Sequence, residues 1–188
     1  MKRLVLALAF VLASILGPAR AATLNDDGLH VQPWFVETFL DLKQDIDDAA
    51  KLGKRFVVFI EQKGCIYCTE MHEKALADPK IADYIKANFV VLQLNLHGER
   101  EVTDTDGKVL REKEAARRWG AVGTPTILFL PRTSAEAEGK TAREAAVARM
   151  PGYFRPPVFE AMFRYVREEA YLKGSFDKYL GENKPATN

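Results

Sequence analysis

The stretch Arg55 to Glu61 contains five consecutive β-formers, Phe56-Val57-Val58-Phe59-Ile60, and the chain's only two cysteines follow directly, at Cys65 and Cys68. This juxtaposition restricts the possible architecture more than any other feature. An apolar run without polar alternation suits a strand buried on both faces, as in a parallel sheet. Gly64 breaks the chain before the cysteines, and Tyr67 to Ala77 favours helix. A buried strand that feeds a helix through Cys-x-x-Cys predicts a central sheet with helices on both faces.

The remaining pattern extends this alternation. Phe35, Phe39, Leu42, Ile46 and Ala49 recur at helical steps, and Gly53 sits where a helix C-terminal glycine belongs. Asp78-Pro79 reads as a cap followed by a first-turn proline, opening a helix through Ile81, Tyr84 and Ile85. Phe89 to Leu96 is a second strand. His97 to Lys108 is polar, with a turn at Asp106-Gly107. Arg111 to Trp119 is a short helix ended by Gly120. Thr126 to Leu130 is a third strand, entered through Thr124-Pro125, and Glu144 to Met150 a fourth. Pro157 to Ala170 closes the series as an amphipathic helix with Phe159, Met162, Phe163 and Val166 inward. Ala22 to Pro33 reads as polar and irregular. The order α-β-α-β-α-β-β-α predicts an α/β fold in one domain, partitioned as 1–21, an N-terminal extension and helix at 22–54, the main domain at 55–180, and a flexible tail at 181–188.

Residues 1–21 have the order of a secretory signal peptide: Lys2 and Arg3, an uncharged run from Leu4 to Leu16, then Gly17-Pro18 and Ala19-Arg20-Ala21. The run is shorter than the roughly 20 apolar residues that a spanning helix needs. Cleavage after Ala21 and export to the periplasm are expected. Losing Lys2, Arg3 and Arg20 takes Lys plus Arg from 27 to 24 against 26 acids, a net charge of about −2. That balance gives no electrostatic case for nucleic acid as a partner.

A structural disulfide gains most by closing a long loop, and a bridge across two intervening residues closes almost none. The pair therefore points to chemistry. A thiolate is the attacking species in disulfide exchange, and the first turn of a helix stabilises negative charge. Cys65 in that place is the expected nucleophile. Cys68, one turn further, can attack the resulting mixed disulfide and release the product. Half of a zinc site, an inert disulfide and a copper site with a histidine are the competing readings. Zinc would need further ligands, and only His72 and His97 lie near in sequence. Thr124-Pro125 is a place where a cis peptide can be locked, though a trans proline opening a strand is the commoner case.

With these residues in view, the chain resembles the thioredoxin superfamily, through Cys65-Ile66-Tyr67-Cys68 after one β-run and Gly123-Thr124-Pro125-Thr126 before another. More narrowly it resembles the periplasmic SoxW-like thioredoxins, through Phe59-Ile60-Glu61, Leu94-Asn95-Leu96, Glu101-Val102-Thr103-Asp104 with Asp106-Gly107, and Gly152-Tyr153-Phe154. The resemblance covers about Arg55 to Tyr165. It implies a thioredoxin-like fold with an extra N-terminal helix, an exposed nucleophile at Cys65 and a buried resolving Cys68. It also implies a cis Pro125 facing them, and a Thr124 backbone that receives substrate as an added strand. Such a proline keeps metal from the thiols, so no metal or cofactor is expected. Where many thioredoxins carry a buried aspartate, this chain has Phe59; Glu61 is then the candidate proton acceptor from Cys68, against the alternative of a solvated strand-end glutamate.

The implied activity is dithiol–disulfide exchange with a protein substrate, in the reducing direction. The client would be of sulfur-oxidation or cytochrome-maturation type, the electron donor a CcdA-like membrane protein, and the state monomeric. An oxidase or isomerase, or a copper-binding chaperone, is the alternative. Tyr67 is expected to shape the contact surface, His72 to be partly exposed, and Lys63 to favour the Cys65 thiolate only weakly. Trp34 and Trp119 read as core or hinge aromatics, and Asp45, Asp47 and Asp48 as a solvated helix face.

Overall fold

The computed structural model describes residues 23–183. The leader read at 1–21 and residues 184–188 of the expected tail lie outside the described residues. A small hairpin, β1 (Thr23–Leu24) and β2 (His30–Val31), precedes helix α1 (Leu42–Lys51) and strand β3 (Arg55–Glu61). Helix α2 (Ile66–Glu70) continues as a π-helical turn over Met71–Ala75, followed by α3 (Pro79–Asn88) and β4 (Phe89–Asn95). A second hairpin, β5 (Glu101–Thr103) and β6 (Val109–Arg111), leads into α4 (Glu112–Arg118) and β7 (Thr126–Phe129). The chain then forms α5 (Ala142–Ala145), β8 (Ala148–Pro151), α6 (Pro156–Arg167) and α7 (Phe176–Glu182).

Strand β3 is buried at every position, as its unbroken apolar run requires. The main sheet has the order β4-β3-β7-β8, with β3 parallel to β4 and antiparallel to β7, and β7 antiparallel to β8. Strand alternation then divides the core in two. Phe56, Val58 and Ile60 pack with Leu42, Ile46 and Ala49 of α1 and with Trp119. Val57 and Phe59 face Met71, Ala75, Ile81 and Ile85 on one side and Phe159 and Phe163 of α6 on the other. The Phe163 ring centroid lies 4.9 Å from both Phe89 and Phe129, edge-on, and 5.0 Å from Phe159. This is the expected α/β architecture.

Several boundaries differ from the sequence pattern. The helical periodicity from Phe35 begins too early. Asp41 caps α1, its Oδ1 accepting from Lys43 N and Gln44 N, and the preceding segment is extended. There the Val36 N–H donates to the Val91 carbonyl, so the arm lies along the free edge of β4, and Phe39 is fully exposed at 102%. Residues 22–33, read as irregular, include the β1–β2 hairpin. The fourth strand is Ala148–Pro151 alone, because a Thr141–Glu144 capping box turns Ala142–Ala145 into helix. The polar stretch after β4 folds as the β5–β6 hairpin. Buried Asp104 fastens it to the core by accepting from Trp119 Nε1 at 2.9 Å and Ala142 N at 2.8 Å.

The acidic face of α1 is not uniformly solvated. Asp48 is exposed, Asp47 accepts from the Ser134 N–H and hydroxyl, and Asp45 is buried. Burial pushes the Asp45 carboxyl up to about 6, against the Thr38 hydroxyl, which donates to it at 3.0 Å and pulls the other way. No helix among the described residues is long and apolar enough to cross a membrane.

Candidate active site

Gly64 has φ +72°, a left-handed conformation that glycine adopts without steric cost, and it turns the chain from the end of β3 into α2. Cys65 is the N-cap of that helix and Cys68 lies one turn inside it. The two form a disulfide, with Cα atoms 5.2 Å apart, and the Cys68 N–H donates to the Cys65 sulfur at 3.0 Å. The N-cap position thus places the first sulfur on the orphan N–H groups of the helix start. Cys65, expected to be exposed, is itself buried in the disulfide form at 8% exposure, which corrects that expectation; Cys68 is deeper still at 1%, so an incoming group meets Cys65 first.

Strand register brings the other site residues to the same end of the sheet. Ile60 is opposite Thr126, and Thr126 is opposite Pro151. The end of β3, the start of β7 and the end of β8 therefore lie side by side, carrying Cys65, Pro125 and Tyr153. The Thr124–Pro125 peptide bond is cis, and the Gly152 N–H donates to the Pro125 carbonyl at 2.7 Å. Thr124 Oγ1 is buried without a partner among the described residues. Tyr153 stacks on Tyr67, centroids 6.2 Å apart and planes 15° from parallel. Ile66 is 76% exposed and Tyr67 58%, an apolar surface beside the disulfide, and Val122, 99% exposed, stands in the loop that leads to Pro125. Arg149 of β8 donates to the Trp119 and Gly120 carbonyls, holding the loop that leads to Pro125. Burial and the Arg143 guanidinium lower the Arg149 pKa.

Beneath the helix lies a buried polar cluster. Period-two alternation puts Glu61 on the face of Val57 and Phe59, beneath the π-helical turn. It is wholly buried, which corrects the solvated alternative. Its oxygens lie 3.1 and 3.2 Å from His72 Nε2, and Gln93 Nε2 donates to Oε1 at 2.9 Å. His72 is wholly buried as well, not partly exposed: the π turn places it under the sheet end, with its Nδ1 3.2 Å from Gln32 Nε2. His30 Nε2 lies 2.9 Å from Thr69 Oγ1, which in turn is 3.2 Å from the Cys65 carbonyl.

Of the residues singled out in the sequence, Cys65, Cys68, Tyr67, Thr124 and Pro125 gather at one end of the sheet and Glu61 lies under them. His97 is exposed, bonded to Gln62. His30, Gln32, Gln93 and Tyr153 were not foreseen as site residues. Gln93 left a trace, since it interrupts an apolar strand; His30 and Gln32, spaced by two, left only a short alternation in a polar segment.

A family model described as a thioredoxin-like domain matches residues 42–167. No curated protein matches the chain. Among solved structures, a thioredoxin-fold protein from Helicobacter pylori is similar with a TM-score of 0.57 at 21% identity, over 80% of this chain and 86% of that one. A thioredoxin from Thermus thermophilus is 25% identical over 65% of this chain and 81% of that one, with a TM-score of 0.49. The oxidised C-terminal domain of DsbD from Neisseria meningitidis is 18% identical over 69% and 96%, with a TM-score of 0.43.

Proposed function

Since this chain belongs to the family of thioredoxin-like domains, we propose that it is a thiol–disulfide oxidoreductase that reduces disulfides in exported proteins. The observation that carries this reading is the Cys65–Cys68 disulfide at the start of α2, with Cys65 at the N-cap and nearer the surface than Cys68. In the dithiol form the Cys65 thiolate attacks a substrate disulfide. One substrate sulfur leaves as thiolate and takes a proton, and a mixed disulfide forms on Cys65. Cys68 then gives up its proton and attacks Cys65, releasing the second substrate thiol and restoring the internal disulfide. Two electrons pass to the substrate.

Glu61 is the proposed proton acceptor for Cys68, because it is the buried carboxyl on the sheet face that α2 covers. The Thr124–Pro125 backbone and the Tyr67–Tyr153 surface are the proposed substrate seat. Export is supported by the charge and apolar order of residues 1–21. The SoxW-like resemblance supports a client of sulfur-oxidation or cytochrome-maturation type and a CcdA-like membrane donor, and the protein is proposed to act as a monomer.

Insulin reduction with dithiothreitol, together with the potential of the pair in a glutathione buffer, tests the reading. Turnover that requires Cys65, at a potential nearer the roughly −270 mV of thioredoxin than the −120 mV of DsbA, supports a reductase. A potential at the oxidising end makes it an oxidase or isomerase. Equal turnover by Cys65→Ser removes the site. A Cys68→Ser variant should hold its client on Cys65 as a mixed disulfide and so name the pathway.

A further inference from the structure

The residues that close the site from below do not all belong to the family segment. Residues 23–41 precede the matched stretch, and this arm contributes His30, Gln32 and Phe35. The hairpin turn at Gly28 sits directly on Lys63, where an added Cβ would lie 3.0 Å from the lysine Cδ. Gln93 Nε2 donates to the His30 carbonyl at 2.6 Å, and Phe35 packs against Phe59 and His72 at 5.5 and 5.8 Å. The arm is thus pinned at several points to the strand and helix that carry the cysteines.

The His30 ring is the part of the arm nearest the chemistry. With the Thr69 hydroxyl proton on the Cys65 carbonyl, Thr69 Oγ1 accepts from His30 Nε2–H, and His30 Nδ1 is left bare. Nδ1 is buried and has no partner among the described residues. In the disulfide form neither cysteine carries a negative charge that could face this nitrogen. Reduction changes the balance, because a thiolate then sits at Cys65, one turn from the Thr69 that His30 holds.

We propose that His30 is a positioning residue of the redox centre: held by Thr69, it takes up a proton when the Cys65–Cys68 disulfide is reduced, and so links reduction of the pair to pH. The claim rests on the functional reading above and names a group that acts on that site. The step balances. Two electrons from a dithiol donor break the Cys65–Cys68 bond, and the donor becomes a disulfide, giving up two protons. One proton goes to the Cys68 sulfur, Cys65 remains a thiolate, and the second goes to His30 Nδ1. On reoxidation by a substrate disulfide, the two electrons and both protons pass to the substrate sulfurs. The other groups that bear on His30 are Cys65 and Cys68 on α2, His72 in the π turn, Glu61 on β3, Lys63 in the loop, and Asp26 and Asp27 in its own hairpin turn. Histidine is suited to the role because its charge changes between pH 5 and 8.

The test is the glutathione exchange equilibrium of the whole protein from pH 5.5 to 8, for wild type, His30→Gln and His30→Ala. Glutamine keeps an N–H for Thr69 but cannot take the proton. Relative to wild type, the expected result is a shift of at least threefold toward the disulfide at pH 5.5 in both variants. The His30→Gln curve should rejoin wild type at pH 8. A His30→Gln curve that overlaps wild type throughout, or is displaced equally at every pH, overturns the inference while leaving the enzyme reading intact. A wild-type protein that exchanges no disulfide overturns both.

Discussion

Glu61 was visible in the sequence as an acid ending a buried strand, but its surroundings were not. The donors that reach it, His72 and Gln93, come from sequence-distant elements whose register no local pattern states. If Glu61 receives the Cys68 proton, Glu61→Gln should slow substrate release about a hundredfold near neutral pH, the lower end of the scale of a lost general base. Single-turnover insulin reduction across pH measures this, and a profile identical to wild type removes Glu61 from the mechanism. Asp45 yields a second test at this scale. Its carboxyl is raised from 3.8 to about 6, so the folded state binds its proton more tightly than the unfolded chain does. The stability contributed by that proton is full below about pH 3.8 and is lost as pH rises through about 6. Asp45→Asn, which keeps an acceptor for Thr38, should therefore gain on the order of 1 kcal/mol over wild type at pH 7.5, after allowance for solvent screening, and little at pH 4. Urea unfolding at the two values checks it; an equal difference at both contradicts it.

At the scale of elements, the signals that held were those with a local physical cause. The unbroken run of β3, the glycine before the cysteines, and Asp78 capping α3 ahead of Pro79 all appear where their chemistry requires. The periodicity from Phe35 misled because Asp41 supplies a stronger start signal six residues later and β4 offers a free edge for the arm to follow. The π turn at Met71–Ala75 had no sequence signature, yet it brings His72 inward. The β8–α6 connection likewise carries Tyr153 onto Tyr67 through pairings that only the folded sheet defines. An aromatic pair of this kind contributes about 0.5–1.5 kcal/mol. Tyr153→Ala should lower kcat/KM for a protein disulfide about two- to tenfold and leave exchange with oxidised glutathione unchanged. Equal losses on both substrates would mean that the residue supports the loop and not the substrate.

The whole molecule is one mixed sheet with an apolar layer on each face, and the redox pair stands at one end of it. Alternating strand positions made both layers readable, since Phe56, Val58 and Ile60 must face away from Val57 and Phe59. The depth of the α6 layer was less readable, because Phe163 meets Phe89 and Phe129 only after β4 and β7 have paired with β3. Phe163→Ala should cost about 3–5 kcal/mol in urea unfolding, as a large cavity under the sheet does. A cost below about 1 kcal/mol would contradict the packing described. The arm and the β5–β6 hairpin add a buried lower wall and a flank to this frame, through His30 and Gln32 on one side and Asp104 on the other.

The proposed exchange depends on two sulfurs of one pair having different characters. Alkylation of the reduced protein by iodoacetamide, resolved by site between pH 4 and 9, measures that difference directly. The expected result is fast modification at Cys65, with a midpoint well below the roughly 8.5 of a free cysteine, and little at Cys68. Equal rates at both sites, each rising only near the free-cysteine midpoint, would contradict it.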